Sequence, residues 1–403
     1  MCVSTVRSVW LRAEASMLEG IEESRWADEE IVMFDEVVRR FAQDELTSEK
    51  LAQWREAGMV SRDAWAKCAE AGLLGLSIAA EYGGSGGDFR HEAVLIRQFG
   101  LAGAEGFGVP LHNAICAAYI EKYGTQAQRE RWLPGMCSGT FTGAIAMTEP
   151  GAGSDLQGIR TRAVADGEGY RLTGQKTFIT NGQQANLIIV VAKTDPDAGS
   201  KGISLFVVET DGAEGFSRGK NLDKIGTEMG DTSELFFDNV YLPADNLIGG
   251  EEGQGLYQLM KELPKERLII ACESLAIIEA ALAETIAYVA ERKAFGKSIL
   301  QFQNTQFKLA ECKTEATIAR TFVDECIVRL IDGRLSAEYA SMAKYWVSEA
   351  AQRIVDACQQ MFGGYGYMSE YPIAQMYKDV RVKRIYGGTT EIMKLLIARS
   401  LLK

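Results

Sequence analysis

Three stretches place residues able to do chemistry at short spacing. The first is "AMTEPGAGSDLQGI" (146–159). Its glycines and Ser154 free several backbone N–H groups in a small space, and Thr148 and Ser154 add hydroxyls. Such a segment suits hydrogen bonding to a planar polar ring or a phosphate. It is not a G-x-G-x-x-G fingerprint, and no parallel βαβ pattern surrounds it, so a Rossmann site fails on context. The second stretch, "KTFITNG" (176–182), sets Phe178 and Thr180 on one face of a strand. An aromatic beside a hydroxyl suits a stacked ring, although spacing alone fits an ordinary structural role. The third, "RIYGGTTEIMK" (384–394), runs through two glycines into a helix start. It reads as a turn, as an anion cradle, or as a place that has lost a reactive side chain. A further glycine-rich run, "EYGGSGGDF" (81–89), lacks the Lys-Ser/Thr of a P-loop and is expected to be a plain loop.

Composition narrows the chemistry. Only two histidines, His91 and His112, occur in 403 residues. No metal centre is expected, and a Ser-His-Asp triad has little to draw on. Acid–base work falls to carboxylates, Lys or Tyr, with His112 read as structural. The eight cysteines form no C-x-x-C pair, which suits reduced, buried thiols. A net charge of -12 argues against a nucleic-acid partner. No apolar run approaches the roughly 20 residues of a membrane span.

The elements that must position these stretches fall into blocks. Residues 1–27 read as an N-terminal extension, whose early Arg, Ser and Thr faintly suggest a transit segment until the glutamates from Glu14 onward. Residues 28–139 are helical in period; "EIVMFDEVVRRFAQDEL" places Ile31, Phe34, Val37, Val38 and Phe41 on one face. Residues 140–250 switch to short β-branched and aromatic runs parted by Gly, Asn, Asp and Pro, which predicts an antiparallel β-domain, a sandwich or barrel. Residues 251–403 return to long helices, the first expected to start near "LPKERLII" and run about 28 residues, roughly 40 Å. Short connections make this last block a four-helix bundle. The fold class is therefore α+β.

The order of "MTEPGAGSD", "TFITNG", "ERKAFGK", "FGGYGYMSEYP" and "YGGTTEI" resembles the acyl-CoA dehydrogenases, over nearly the whole chain from Asp28 onward. The resemblance implies the acyl-CoA dehydrogenase-like arrangement of helical, β and helical domains. It implies FAD between the β-domain and the bundle, with acyl-CoA on one face of the flavin. Thr148 and Thr180 match hydroxyls near the flavin ring, and Met147, Phe178 and Ile179 match residues lining it. Ser154 matches the serine near the CoA arm. Arg292 and Phe295 match residues that reach the FAD of a neighbouring subunit. Gln360, Gly364, Thr389 and Glu391 also match cofactor positions. A homodimer or homotetramer follows, with an electron-transferring flavoprotein as the partner. The compartment stays open between bacterial cytoplasm and mitochondrial matrix.

The reaction needs a base for the proton α to the thioester and donors for the thioester oxygen. Many members of the family carry a glutamate directly after the tyrosine of the last motif. Here Tyr386 is followed by Gly387 and Gly388. A subset that includes the long-chain and isovaleryl-CoA dehydrogenases carries a glutamate at the position of Glu266 in "LPKERLII". The resemblance thus assigns Glu266 as the base, the Gly387 backbone N–H as a donor to the thioester oxygen, and Arg267 and Gly388 to the substrate side. The expected reaction converts a saturated medium-chain, long-chain or branched acyl-CoA to the trans-2-enoyl-CoA. The alternatives are an acyl-CoA oxidase or flavin monooxygenase on the same fold, or a non-catalytic acyl-CoA binder. Small residues at Gly100, Ala102 and Gly103 fit either a deep acyl pocket or close helix packing.

Overall fold

The structure, a computed structural model, describes residues 20–402. The reading of residues 1–27 as an extension lies mostly outside the described residues. The part that is described packs onto the fold: Ile21 is buried, and the Trp26 indole N–H donates to Asp324 at 2.8 Å.

Helices α1 (Glu29–Glu45), α2 (Ser48–Ala57), α3 (Arg62–Glu70) and α4 (Phe89–Leu101) begin the first block. Then come α5, built from Val109–Leu111, a π-helical stretch His112–Ala117 and Ala118–Tyr123, and α6 (Gln126–Cys137). The starts are written in the sequence. Asp28, Thr47, Ser61, Asp88 and Thr125 each accept a first-turn N–H on their side chain. Each such cap stabilises by about 0.5–2 kcal/mol. On α1, Ile31 and Val38 are buried, while Phe34 and Phe41 pack partly against the same core. Val37, which the sequence pattern puts on the same face, is 51% exposed, because 3.6 residues per turn carry it off that face. In the 81–89 loop, the N–H groups of Ser85, Gly86 and Gly87 bond to the carbonyls of Gly75, Ile78 and Leu76. Those donors are spent inside the fold, which makes the segment a plain loop.

The middle block is a seven-stranded sheet of β1 (Gly143–Ala146), β2 (Arg162–Asp166), β3 (Gly169–Thr180), β4 (Leu187–Lys193), β5 (Ile203–Glu209), β6 (Phe216–Asn221) and β7 (Thr232–Pro243). The strand order is β1-β4-β2-β3-β7-β6, with β5 beside β4. Most pairs are antiparallel, as expected. The β1–β4 pair and the single β2–β4 contact are parallel. The β2–β3 excursion between β1 and β4 brings the chain back in its original direction, a crossover that strand-by-strand patterning does not show.

The last block holds α7 (Gly255–Glu291), a small hairpin of β8 (Lys293–Ala294) and β9 (Lys297–Ser298), α8 (Gln303–Ile331), α9 (Ala337–Phe362), α10 (Pro372–Asp379) and α11 (Thr390–Leu401). Helix α7 has 37 residues with Pro264 inside it, so it starts well before the proline that the sequence suggests as its beginning. Tertiary packing offsets the roughly 3 kcal/mol that an interior proline costs. One apolar core joins α1–α5 to α7–α10, and a second joins α5 and α6 to the sheet. Among the described residues, no helix is long and apolar enough to cross a membrane.

Candidate active site

Two antiparallel helices meet as a ladder. Tyr119 and Tyr123 lie one turn apart on α5, and Glu262 and Glu266 lie one turn apart on α7. The Tyr119 hydroxyl donates to Glu266 Oε1 at 2.9 Å, and the Tyr123 hydroxyl donates to Glu262 Oε1 at 2.7 Å. The two carboxylates differ in surroundings. Glu262 also meets Lys122 Nζ at 2.6 Å and Lys265 Nζ at 3.3 Å. Burial raises its pKa, but Lys265, Lys122 and Tyr123 outweigh that and hold it below the ordinary carboxylate range. Glu266 is buried at 7% exposure and forms no ion pair among the described residues. Burial pushes its pKa up to about 7, against smaller opposing effects of Tyr119, Lys265 and Arg267. Two neighbouring carboxylates whose environments push them apart can divide an ionised structural role from a proton-accepting one.

The 387–388 turn faces the same part of α7. Gly387 and Gly388 have φ of 62° and 94°, the left-handed region. A Cβ added at Gly387 would sit 2.2 Å from Ile270 Cδ1. Ile270 lies one helical turn beyond Glu266, so its side chain fills the space a residue at 387 would use. Arg267 is 4% exposed; its Nη1 meets Ser341 Oγ on α9 at 3.4 Å. Lys344, fully buried on α9, donates from Nζ to the Gly388 carbonyl at 2.6 Å. Below the turn, Lys383 bridges Glu105 at 2.5 Å and Glu273 at 3.1 Å, and the Tyr386 hydroxyl donates to Glu273 at 2.8 Å. Thr389 caps α11, its hydroxyl accepting from the Ile392 N–H at 3.4 Å, with Glu391 in the first turn.

A second group gathers where β1 ends against β3. The Thr177 N–H donates to Thr148 O at 2.9 Å, and Lys176 Nζ donates to Met147 O at 3.0 Å. Lys176 also pairs with Glu149 Oε1 at 2.9 Å, both being buried, and Glu149 accepts from the N–H groups of Arg160 and Thr161. This clamp ties "MTEPGAGSD" to the end of β3. The β3–β7 register shifts between Lys176 and Ile179, and Phe178 has φ 59°. The bulge turns the Phe178 ring outward, at 67% exposure, on the less buried face with Thr180. Ile179 points the other way, into the sheet's core. Ser154 is exposed in the loop beyond.

A third group sits at the far end of the bundle. The Arg292 guanidinium lies 5.3 Å from the Tyr365 ring centroid, and Phe295, at 95% exposure, projects from the β8–β9 hairpin. Gln360 and Gly364 are exposed at the end of α9. Along α7, Arg292 stands about 40 Å from Glu266 at ~1.5 Å per residue. Within one chain these residues do not join the Glu266 site.

Comparison with known proteins decides what this arrangement belongs to. Family profiles described as acyl-CoA dehydrogenase N-terminal, middle and C-terminal domains match residues 28–140, 144–240 and 253–402. The chain belongs to the acyl-CoA dehydrogenase family. It is 50% identical over 371 residues to the mitochondrial long-chain specific acyl-CoA dehydrogenase of Rattus norvegicus, covering 92% of this chain and 86% of the relative. It superposes on the acyl-CoA dehydrogenase of Geobacillus kaustophilus with a TM-score of 0.91 and 45% identity, over 94% and 99% of the two chains. A glutaryl-CoA dehydrogenase from Mycobacterium smegmatis, solved in complex with FADH2, superposes at a TM-score of 0.87 and 29% identity, over 94% and 95%.

The cofactor of this acyl-CoA dehydrogenase family is FAD, and the residues present fit it. A Cβ built on Gly151 or Gly153, beside the clamp, meets nothing within 4 Å, and the same holds for Gly363 and Gly364 in the separate group at the far end of the bundle. An outward aromatic held at positive φ stands beside Thr180 and the clamped 147–148 backbone. Open backbone, hydroxyls and an exposed ring are the groups a planar heterocycle on a phosphate chain needs. Gly100 has a different explanation: its added Cβ would lie 2.5 Å from Ala276 Cβ. It permits close packing of α4 on α7. His112 accepts from the Gly143 N–H at 2.9 Å, and its Nε2 meets Met136 O at 3.1 Å. Burial lowers its pKa to about 4, so it is a neutral structural link. Tyr119, Tyr123, Glu262, Ile270 and Lys344 escape a motif reading. The paired i, i+4 spacing of the tyrosines and glutamates is the one signal that could have found the ladder.

Proposed function

We propose that this family member catalyses the α,β-dehydrogenation of a saturated long-chain-type acyl-CoA to the trans-2-enoyl-CoA, with Glu266 as the base. The observation that carries this reading is Glu266 itself: buried, held by Tyr119, poised near 7 and one turn from the residue that fills the place of a side chain at 387. A base with a pKa near the working pH combines a large ionised fraction with real proton affinity. The α-proton passes to a Glu266 carboxylate oxygen while the Gly387 N–H donates to the thioester oxygen, which gathers the negative charge. Bound FAD supplies the hydride acceptor for the β-carbon.

Met147, Thr148, Phe178, Ile179 and Thr180 would hold the flavin end, with Thr389 and Glu391 at the opposite wall. Arg292, Phe295, Gln360 and Gly364 lie too far along the bundle to serve their own chain's site, which supports a homodimer or homotetramer that shares cofactor sites. Ser154 would meet the CoA arm, and Arg267 and Gly388 the thioester side. The long-chain relative supports the substrate class, and an electron-transferring flavoprotein is the proposed electron acceptor. The working compartment is a mitochondrial matrix or a bacterial cytoplasm.

Anaerobic mixing of holoenzyme with acyl-CoA tests the base. Glu266→Gln is expected to bind acyl-CoA and to lose flavin bleaching by orders of magnitude. Bleaching at the wild-type rate would remove Glu266 from this role. A panel of straight and branched acyl-CoAs in the same assay tests the chain-length assignment.

A further inference from the structure

Lys344 stands beside the Gly387–Gly388 turn, and Arg267 reaches Ser341, one turn before Lys344 on α9; neither cation forms an ion pair among the described residues. Lys344 has no exposed surface, and its Nζ donates to the Gly388 carbonyl at 2.6 Å. Arg267 is 4% exposed; its Nη1 reaches only a hydroxyl, Ser341 Oγ, and its buried Nε has no acceptor. Burial lowers the Lys344 pKa to about 8, and the Arg267 charge adds to that lowering. Other buried lysines of this protein are matched: Lys176 with Glu149, and Lys383 with Glu105 and Glu273. The acids nearest Lys344 are committed or solvated. Glu349 is held by Arg384 at 2.8 Å and by Thr390 at 3.1 Å, and Glu391 is exposed.

Burying an ammonium against a neutral carbonyl costs folding free energy. The carbonyl it holds belongs to a turn whose two glycines have positive φ and no side chains to anchor them. Tyr386 and Thr389 anchor the chain on either side of it, and the Lys344 ammonium adds a hydrogen bond to the turn's own backbone.

We propose that Lys344 is a positioning residue: its ammonium locks the Gly388 carbonyl, so that the Gly387 N–H is aimed at the thioester oxygen, and with Arg267 it sets a positive field where negative charge develops. The inference rests on the reading of Glu266 and Gly387 given above. Preorganised donors and charges of this kind act on the transition state more than on substrate binding.

The test uses holoenzyme, Lys344→Met and Lys344→Gln. The probe is a medium-chain trans-2-enoyl-CoA labelled with 13C at the thioester carbonyl, read by infrared difference spectroscopy. The bound carbonyl stretch should fall in the wild type, and the fall should shrink by half or more in K344M. The kcat for flavin reduction should drop about 10–100-fold while KM moves little, since the lost interaction belongs to the transition state. K344Q keeps a donor without the charge and should lie between the two; it also carries the test if K344M does not fold. A wild-type carbonyl shift in the folded variants overturns the proposal, whatever their kcat, because a merely structural lysine would not polarise the thioester. Glu266→Gln should keep the carbonyl shift and lose flavin reduction. A failure of the base assignment is thereby separable from a failure of the lysine's role.

Discussion

Glu266→Gln makes a stability prediction that is independent of turnover. The pKa of Glu266 is raised by burial to about 7 from an ordinary 4.5. Its ionised form therefore burdens the native state at high pH. The sign follows from linkage: a carboxyl with a raised folded pKa favours the native state below its unfolded pKa and loses that advantage as pH rises through the folded value. At pH 8 the burden is about 3 kcal/mol, from the gap between 4.5 and 7 at ~1.36 kcal/mol per pH unit. At pH 5 it is about 1 kcal/mol by the same relation. Glutamine is never charged, and its amide oxygen can still accept from Tyr119. Whatever fixed cost the amide carries does not vary with pH. The stability of Glu266→Gln relative to wild type should therefore improve by about 2 kcal/mol between pH 5 and pH 8. Urea unfolding of both proteins across that range, followed by tryptophan fluorescence, measures it. The kcat/KM of the wild type should rise across the same window as the base ionises. A relative stability that stays flat with pH would show that Glu266 is ionised at ordinary carboxylate pH, and the physical case for its poised pKa would fail.

Tyr119→Phe removes a hydroxyl that stabilises the carboxylate form of Glu266; hydrogen bonds to charged groups are worth about 1.5–3 kcal/mol. The acidic limb of kcat/KM should move up by about 1–2 pH units, and an unmoved limb would detach Tyr119 from the base. Gly387→Glu in the Glu266→Gln background should stay inactive, because the left-handed φ costs about 1–2 kcal/mol and Ile270 stands in the way. Adding Ile270→Ala should restore measurable flavin reduction; equal activity with and without that change refutes the steric argument. Lys176→Met strands Glu149 as a buried charge and should destabilise by about 3–5 kcal/mol. It should also weaken FAD retention on gel filtration, through the freed 147–158 segment.

The helical, β and helical blocks were legible because capping residues and the change of hydrophobic period mark each boundary. Asp28, Thr47 and Ser61 announce their helices, and the β-branched runs announce their strands. The start of α7 was hidden because Pro264 reads as a beginning while tertiary packing carries the helix through it. The parallel β1–β4 pair was hidden because direction depends on what lies between strands. In the site, Glu266 and Gly387 were placed by motif resemblance, since a lone Glu in a helix carries no signal of burial. The partners that tune Glu266 come from α5, far away in the chain. Only the fold brings Tyr119 to it.

The glycine at 387 and the glutamate at 266 are coupled through space. Ile270 occupies the volume that a side chain at 387 would fill, and it projects from the same helix as Glu266, one turn on. A base on the turn would depend on a backbone at φ 62°, where an L side chain is strained. A base on α7 is fixed by helix geometry and by a tyrosine of a second helix. With the proposed base on α7, its pKa is governed by helix packing and not by a glycine turn: burial acts first, then Tyr119, Lys265 and Glu262. The turn keeps what a turn supplies well, a backbone N–H, and needs a separate restraint once it has no side chain of its own. Lys344 on the Gly388 carbonyl is placed to be that restraint. On this reasoning, base, filler and restraint should change together or not at all, and a chain that regains a carboxylate at 387 has no use for a bulky Ile270.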